Sequence, residues 1–290
     1  MKDNGKKELF DENGNSRGFY SLKNRLNDLT GKEWVYWSKS VINKQYPPDA
    51  SHKIRSQHGG QKPPRLCADI ISVFTKADES VLDPFAGVGG TLIGASLCGR
   101  KATGIEIDPR YIAVYKEACK LEKVPVQRML KGDSNIKLSE LQKEGEVFDF
   151  ILTDVPYWNM DKVDRSKGKY KKVGEEQKDK KQSKLKEFTE TAYQDKAAWL
   201  ESLLSVFART VQLLKADRYL AVFIGDMYNK GQYHFLSADV AQILCGLNLT
   251  MKANLVWYDV SKSLHVYGYQ YQFIPSMIHQ NILVFRKESK

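Results

Sequence analysis

Acidic residues follow several short apolar runs of this 290-residue chain, in an order that suits a cationic ligand. Asp83 ends the run SVLD and leads into the small-residue loop PFAGVGG. Gly87 and Gly89 in that loop allow a tight turn and a close approach of backbone to ligand, because glycine has no Cβ. An Asp at the start of the loop attracts an ammonium group and repels a phosphate. Asp83 and Phe85 therefore favour a cofactor that bears an amino acid over one that bears a pyrophosphate.

Two further acids lie at the next two apolar runs. Glu106 ends the second run, and Asp133 follows the third. Glu106 stands where a carboxylate can accept hydrogen bonds from both hydroxyls of a ribose. Asp133, in KGDSN, is placed to bind an adenine amino group. Each acid taken singly is also typical of a helix cap or a turn. Their order along one alternating unit predicts a site for S-adenosylmethionine, which has a sulfonium, an ammonium and a ribose.

The segment Asp154-Val155-Pro156-Tyr157-Trp158 forms a second group with chemical potential. The lone pair of an exocyclic amino nitrogen is delocalised into its ring, and acceptors that take the amino hydrogens aim it at a methyl carbon. The Asp154 carboxylate and the Val155 or Pro156 carbonyl are candidates for those acceptors. Tyr157 offers a stacking face, worth about 1–3 kcal/mol per base, and Trp158 widens it. The alternative is that Pro-Tyr-Trp merely ends a strand and caps the core.

The elements that must position these residues alternate along the chain. The pattern predicts an α/β fold with a doubly wound, mostly parallel seven-stranded sheet, whose last two strands form an antiparallel hairpin at one edge. The predicted strands are 80–84, 102–106, 126–131, 148–153, 218–225, 249–258 and 280–286, and the predicted helices are 64–76, 89–98, 109–122, 135–143, 188–214 and 235–246.

The chain is expected to divide into an N-terminal extension over 1–54 and one main domain over 55–290. The extension is polar, and we expect its aromatic cluster, Trp34, Tyr36 and Trp37, to pack on the main domain.

Two segments interrupt the alternation. Segment 159–187 has eleven Lys and Arg against six Asp and Glu, which predicts a basic, flexible insertion. It follows the Tyr157 region directly, so its lysines are placed to lie along phosphates, and the candidates are Lys167, Lys169, Lys171 and Lys172. A solvated insertion without a role is the alternative. Segment 259–279, rich in Tyr, is also predicted to be loop.

The overall composition indicates the kind of partner and the compartment. A formal charge of +10 favours an anionic partner, with nucleic acid the leading candidate. The four cysteines are dispersed and have no ligand spacing, so we expect reduced core thiols and no metal site. No run is long and apolar enough to span a bilayer, and we expect a cytoplasmic protein of prokaryotic or phage type without a membrane partner.

Four motifs resemble those of the S-adenosylmethionine-dependent DNA methyltransferases that modify adenine N6 or cytosine N4. VLDPFAGVGG is similar to their first motif, GIEIDPRY to the second and TDVPYW to their catalytic Asp-Pro-Pro-Tyr motif, while HGGQKPPRLCADII resembles a segment that closes over the methionine end of the cofactor. The resemblance implies a Rossmann-like methyltransferase fold and chemistry on a flipped base. By motif, it implies that Asp83, Phe85, Gly87, Glu106, Lys62 and Pro63 bind the cofactor and that Asp154, Pro156 and Tyr157 bind the base.

The resemblance has two departures. Val155 stands where the family usually has Pro, and little of the chain remains for a target-recognition domain. Sequence specificity is therefore expected from 159–187, from 259–279, from a specificity subunit or from a homodimer. Asp154, where cytosine enzymes of the family more often carry Ser, favours adenine N6. The alternatives are an RNA methyltransferase acting on guanine N2 of tRNA or rRNA, and a catalytically decayed nucleic-acid-binding subunit.

Overall fold

The computed structural model describes residues 5–11, 13–58, 60–158, 195–229, 231–260, 262, 264 and 271–289. Within them the strands are β1 (Lys6–Phe10), β2 (Ser16–Ser21), β3 (Val41–Ile42), β4 (Ser80–Asp83), β5 (Lys101–Glu106), β6 (Arg128–Lys131), β7 (Phe148–Asp154), β8 (Leu214–Ile224), β9 (Met227–Asn229), β10 (Gln232–His234), β11 (Leu249–Tyr258) and β12 (His279–Lys287). The helices are α1 (Gly31–Trp37), α2 (His52–Arg55), α3 (Pro64–Phe74), α4 (Gly90–Leu97), α5 (Pro109–Glu122), α6 (Ser134–Lys143), α7 (Lys196–Leu213) and α8 (Leu236–Cys245).

The main sheet has the strand order β3-β11-β12-β8-β7-β4-β5-β6. Strands β4 to β8 run parallel to one another, and β12 is antiparallel to both β8 and β11. The predicted mostly parallel sheet with an antiparallel final pair is confirmed. The predicted number of seven strands is wrong, because β3 pairs with β11 and becomes the edge. A strand of two residues has no alternation from which it could be predicted.

Helices cover both faces of the sheet and create two buried layers. Residues of α3, α4 and α5 pack on one face, and residues of α6, α7 and α8 pack on the other. Strand β7 shows how the sequence specifies this arrangement, since consecutive side chains of a strand point to opposite faces. Phe150 belongs to one layer and Ile151 to the other, and both are fully buried. A parallel strand buried on both faces requires such a continuous apolar run.

The segment before α3 is attached to the domain by polar contacts as well as by apolar packing of residues such as Ile42. Asn27 is buried, and its side chain donates a hydrogen bond to the carbonyl of Val73 at 2.7 Å. The expectation that three aromatics pack on the domain is wrong for Trp34 and Tyr36, which are 45% and 43% exposed. Only Trp37 packs partly against the core, because the seven-residue helix α1 has no buried residue and is held by a capping box at its start.

Several predictions fall on residues whose structure is not described. Insertion 159–187, with Lys167, Lys169, Lys171 and Lys172, lies outside the described residues, as do 188–194 of the predicted helix 188–214. The described part of that helix, α7, begins after Asp195, whose side chain accepts a hydrogen bond from the backbone N–H of Ala198 at 2.8 Å.

The cysteines and the helices bear on two further expectations. Cys67 and Cys119 are buried, but Cys245 is exposed, so the prediction of four core thiols is wrong for Cys245. In the described part of the chain, no helix is long and apolar enough to cross a membrane. The same residues contain no cluster of three or more His, Cys, Asp or Glu side chains that could hold a metal ion.

Candidate active site

The acids predicted from sequence meet at one edge of the sheet. Strand β4 lies between β5 and β7, and all three are parallel, so Asp83, Glu106 and Asp154 emerge at the same edge. An open cavity lies there, and its lining includes Asp83, Asp154, the glycine loop, His58 and residues 60–62. The two groups of residues that the sequence singled out therefore share one cavity.

The glycine loop is shaped by two residues with left-handed backbone. Gly87 has φ +50° and Gly89 has φ +77°, and Gly89 is the N-cap of α4. A Cβ at residue 89 would lie 2.1 Å from the ring of Tyr115, which is fully buried. The loop is therefore built around the absence of a side chain at Gly89, and an approach of its backbone to a ligand stays a prediction.

Asp83 ties this loop to the neighbouring strand. Its carboxylate accepts hydrogen bonds from the backbone N–H of Phe85 at 3.0 Å and from the hydroxyl of Thr153 at 2.6 Å. Burial raises the pKa of Asp83 to about 6, although these hydrogen bonds oppose the shift. Phe85 is partly buried and packs edge-on against Phe207 of α7. Asp83 lines the cavity, but contact with a ligand ammonium stays a prediction.

Glu106 holds the loop from the other side. Its two carboxylate oxygens accept hydrogen bonds from the backbone N–H groups of Gly87 at 2.9 Å and Asp108 at 2.7 Å. Burial raises the pKa of Glu106, and the two N–H donors oppose this shift. Each carboxylate oxygen can accept more than one hydrogen bond, so both remain able to bind ribose hydroxyls.

Asp133 is exposed and is the N-cap of α6. Its side chain accepts hydrogen bonds from the backbone N–H groups of Asn135 and Ile136, at 2.8 and 3.3 Å. The helix-cap alternative for this acid therefore describes the structure, and a contact with an adenine amino group stays a prediction.

Lys62 and Asp154 form a buried ion pair, in which one carboxylate oxygen of Asp154 accepts from the Lys62 ammonium. Lys62 is 7% exposed, and its ammonium also donates to the carbonyl of Gly60 at 3.3 Å. The other carboxylate oxygen of Asp154, Oδ1, is buried without a hydrogen-bond partner. Burial raises the pKa of Asp154, and Lys62 opposes that shift by stabilising the ionised form. Sequence reasoning predicted Lys62 as a cofactor-binding residue and missed this pairing.

Arg55 fixes the backbone that carries Lys62. Its fully buried guanidinium donates to the carbonyl of Lys62 at 3.1 Å and to the carboxylate of Asp49 at 2.6 Å. Pro63 then leads into α3 as its N-cap, with extended backbone. Arg55 ends α2 and Asp49 precedes that helix on irregular backbone, so no periodicity in the sequence indicated their contact.

Tyr157 is fixed by hydrogen bonds to its hydroxyl. The oxygen accepts from the backbone N–H of Gly225 at 3.0 Å and from Nε2 of Gln280 at 3.0 Å. Burial, and then the charge of Asp154, raise the pKa of Tyr157 well above its usual value. The ring is only partly buried, which leaves the predicted stacking role open to test.

The residues on either side of Tyr157 make different contacts. The carbonyl of Pro156 accepts a hydrogen bond from the indole of Trp199 at 2.7 Å, so it is already engaged within the protein. Trp158 is partly buried and lies edge-on to His234, with ring centroids 5.1 Å apart. A wider stacking platform from Trp158 stays a prediction.

His58 and Gln61 line the cavity and were missed by sequence reasoning, although both belong to the segment HGGQKPP. The His58 ring lies edge-on to Tyr111 with centroids 4.7 Å apart, and its Nε2 would lie 3.1 Å from a Cβ on Gly87. Burial, and then Lys62, lower the pKa of His58 to about 4, so the ring is neutral at pH 7.

Buried polar atoms without a partner are concentrated at this site. Among the described residues, such side-chain atoms are His58 Nδ1, Gln61 Oε1, Asp154 Oδ1, Trp158 Nε1 and Gln280 Oε1. Three of them belong to residues that line the cavity, and Gln280 is bonded to Tyr157 beside it. Buried polar atoms are normally paired, so this concentration indicates a place where a ligand supplies the partners.

Comparisons with known proteins agree with this arrangement. A DNA methylase family model, N6_N4_Mtase, matches residues 6–117, which include the glycine loop and Glu106 and end before Asp154. The Type II methyltransferase M2.LlaDCHI of Lactococcus lactis subsp. cremoris is 34% identical over 99 residues, which cover 34% of this chain and 34% of that protein. A tRNA (guanine(10)-N2)-dimethyltransferase of Methanothermobacter thermautotrophicus is 31% identical over 120 residues, which cover 41% of this chain and 34% of that protein.

A solved structure has a similar fold. TrmN from Thermus thermophilus superposes with a TM-score of 0.50 at 14% identity, covering 82% of this chain and 53% of that chain. The chain spans about a third of the length of the curated relatives that it matches. Over residues 6–117 the chain is similar to the N6/N4 DNA methylase family, and this similarity, together with the Type II relatives, supports an amino-methyltransferase with S-adenosylmethionine as its cofactor.

Proposed function

We propose that this protein transfers a methyl group from S-adenosylmethionine to an exocyclic amino group of a flipped base in DNA, with adenine N6 favoured. The observation that carries the proposal is the buried, unpartnered Oδ1 of Asp154 in the same cavity as the acid-lined glycine loop. The match to a DNA methylase family model supports DNA as the substrate.

The residues of the cavity fit the proposed cofactor. When bound, S-adenosylmethionine supplies an electrophilic methyl group on a positively charged sulfur. The carboxylates of Asp83, Glu106 and Asp154 complement a cationic ligand. Glu106 would receive the ribose hydroxyls, and the unpartnered atoms of His58 and Gln61 would receive polar groups of the methionine end.

Asp154 would act on the amino group through a hydrogen bond. Its Oδ1 accepts one amino hydrogen, which draws the nitrogen lone pair out of the ring plane and towards the methyl group. The carbonyl of Val155 is the remaining main-chain candidate for the second hydrogen, because the carbonyl of Pro156 already accepts from Trp199. The nitrogen lone pair would form the new N–C bond, and the cofactor would supply the leaving group, a sulfur that keeps the electron pair of the broken S–C bond. The methylated nitrogen then loses one proton.

The surroundings of the base would come from the aromatic and basic residues predicted from sequence. Tyr157 and Trp158 would supply stacking faces, and the lysines of 159–187 would bind phosphates. A specificity subunit or a second copy of the chain would supply sequence recognition, and the proposed compartment is the cytoplasm.

A second candidate function is methylation of guanine N2 in RNA. It is favoured by the similarity to a tRNA (guanine(10)-N2)-dimethyltransferase over 41% of this chain. The experiment that separates the two is incubation with S-adenosylmethionine and either DNA or tRNA from a strain without amino-methyltransferases, followed by mass spectrometry of the nucleosides. We expect N6-methyladenine in DNA. N2-methylguanine in tRNA, with unmodified DNA, would refute the proposal in favour of the second candidate.

Glu106→Gln is expected to weaken S-adenosylmethionine binding about ten- to a hundredfold. A hydrogen bond to a charged acceptor contributes about 1.5–3 kcal/mol, and the amide offers one acceptor oxygen where the carboxylate offers two. Isothermal titration calorimetry measures the change. Glu144→Gln, on an exposed carboxylate paired with Arg128 at 3.1 Å, is the control and should bind the cofactor normally. Equal affinities of the two variants would contradict the role of Glu106.

Lys62→Met is expected to move the acid limb of kcat/KM to higher pH. The Lys62 ammonium stabilises the ionised form of Asp154, so its removal raises the pKa of Asp154 further. Because the ionised carboxylate is the better acceptor, activity at pH 6 should fall relative to activity at pH 8.5. Rates are measured across this range at saturating cofactor, with Lys137→Met as a control on an exposed ion pair. An unmoved acid limb would show that the pair does not set the ionisation of Asp154.

A further inference from the structure

Gln280 lies at the edge of the sheet where Asp83 and Asp154 emerge, and it comes from strand β12, which runs antiparallel to β8. Strand β12 is antiparallel to β8, and Asn281 pairs with Ile224 near the end of β8. The first residues of β12 therefore lie where the parallel strands finish. Gln280, the second residue of β12, contacts Tyr157 through its side chain. The sequence pattern predicted this strand and its antiparallel pairing, but it did not indicate the contact of Gln280 with Tyr157.

The two ends of the Gln280 amide are in different situations. Nε2 donates to the Tyr157 hydroxyl at 3.0 Å, whereas Oε1 is buried without a partner. The amide is held in place, because the Tyr157 hydroxyl is itself bonded to the backbone N–H of Gly225. A Cβ at Gly225 would lie at ordinary contact distances, 3.5 Å from Tyr157 and 3.9 Å from Gln280, so the pair packs directly against residue 225. An oriented, buried acceptor without a partner is the feature expected of a group that a ligand completes.

The surrounding groups indicate which ligand would complete it. The Tyr157 hydroxyl accepts a hydrogen bond from the Gln280 amide. The Lys62 ammonium lies 5.9 Å from the centroid of the Tyr157 ring and forms an ion pair with Asp154. Asp154 Oδ1 and Gln280 Oε1 are therefore two unpartnered acceptors associated with one aromatic ring. A nucleobase stacked on this ring, with its amino-bearing edge turned towards these acceptors, would supply hydrogens to them.

We propose that Gln280 binds the target base, with Oε1 accepting a hydrogen from the edge that carries the amino group. The proposal rests on the proposed function and deepens it, since Asp154 Oδ1 takes one hydrogen of the amino group and Gln280 Oε1, rather than the Val155 carbonyl, takes the other. Gln280 then helps to select bases that present an N–H on that edge.

The test compares Gln280→Leu, which removes the acceptor, with Gln280→Glu, which keeps one. Initial rates are measured at pH 8.5 with saturating S-adenosylmethionine and varied DNA from a strain without amino-methyltransferases. We expect the Leu variant to lose about tenfold or more in kcat/KM for DNA, and the Glu variant to recover most of that loss. Cofactor affinity and Tm should stay close to wild type in both. Gln142→Leu is the matched control, since this partly buried amide bonds the carbonyl of Arg209 at 3.2 Å away from the cavity.

Three results would overturn the proposal: a Leu variant within twofold of wild type, a Glu variant no better than Leu, or a parallel loss of cofactor affinity and Tm, which indicates a purely structural role. A binding measurement separates this proposal from the proposed function. In isotopically labelled protein, the side-chain amide resonance of Gln280 should shift on addition of dAMP, dCMP or dGMP. A shift in a protein that methylates no DNA would refute the proposed function and support base binding by Gln280. The absence of a shift with all three nucleotides would overturn base binding.

Discussion

Asp154→Asn is expected to lower kcat for methyl transfer by at least about a hundredfold while cofactor affinity stays within a few-fold of wild type. Removal of one preorganised group that stabilises developing charge typically costs this much. Asparagine is preferred to alanine, because breaking a buried ion pair by removing one partner costs about 3–5 kcal/mol of stability. The amide can still accept a hydrogen bond from Lys62 while losing the negative charge directed at the amino group.

Single-turnover rates and calorimetry with S-adenosylmethionine measure the two quantities separately. Asp239→Asn is the control. Asp239, on α8, pairs with Lys196 of α7 at 2.8 Å and does not line the cavity. Normal transfer by the Asp154 variant would mean that another group acts on the amino nitrogen. Loss of cofactor affinity alone would reassign Asp154 to cofactor binding.

Gly89→Ala is expected to destabilise the protein by more than about 3 kcal/mol, or to prevent accumulation of soluble protein. Two costs combine at this residue. The backbone has φ +77°, where a Cβ costs about 1–2 kcal/mol, and that Cβ would lie 2.1 Å from the ring of Tyr115. Tyr115 is fully buried, and its hydroxyl accepts from the backbone N–H of Gln127 at 2.7 Å, so the ring cannot move aside without losing contacts.

Gly99→Ala provides the matched control. Gly99 has φ +72°, almost the same backbone conformation, but no atom lies within 4 Å of the position its Cβ would take. Chemical denaturation of the two variants therefore separates the steric cost at Gly89 from the backbone cost that both share. Equal losses of unfolding free energy would show that contact with Tyr115 contributes nothing.

The parallel core of the fold could be predicted from sequence because its signals are local. The run FDFILT specifies a strand buried on both faces, and Asp83, Gly87 and Gly89 mark the first turn within seven residues. The order of the later elements was also predicted correctly. Strand β3, with two residues, and the short hairpin of β9 and β10 were missed, since neither is long enough to show a period.

The contacts within the site were less predictable, because they join residues far apart in the chain. Lys62 reaches Asp154 from the segment before α3, whose backbone is held by Arg55, and Gln280 reaches Tyr157 from the antiparallel strand β12. Motif reasoning identified Asp154 and Tyr157 but gave no information about their partners. His58 belongs to the recognised segment HGGQKPP. Its position over Gly87 is a tertiary contact that the sequence pattern does not indicate.

The hydrogen bond between Trp199 and the carbonyl of Pro156 joins the chain just before residue 159 to the helix just after residue 194. The two attachment points of the intervening stretch are therefore clamped to each other by the folded domain itself. The entropic cost of closing a loop grows only slowly with its length, so this clamp tolerates inserts of different size. Positions 158 and 195 thus form a point at which segments of different length can be inserted without displacing Asp154.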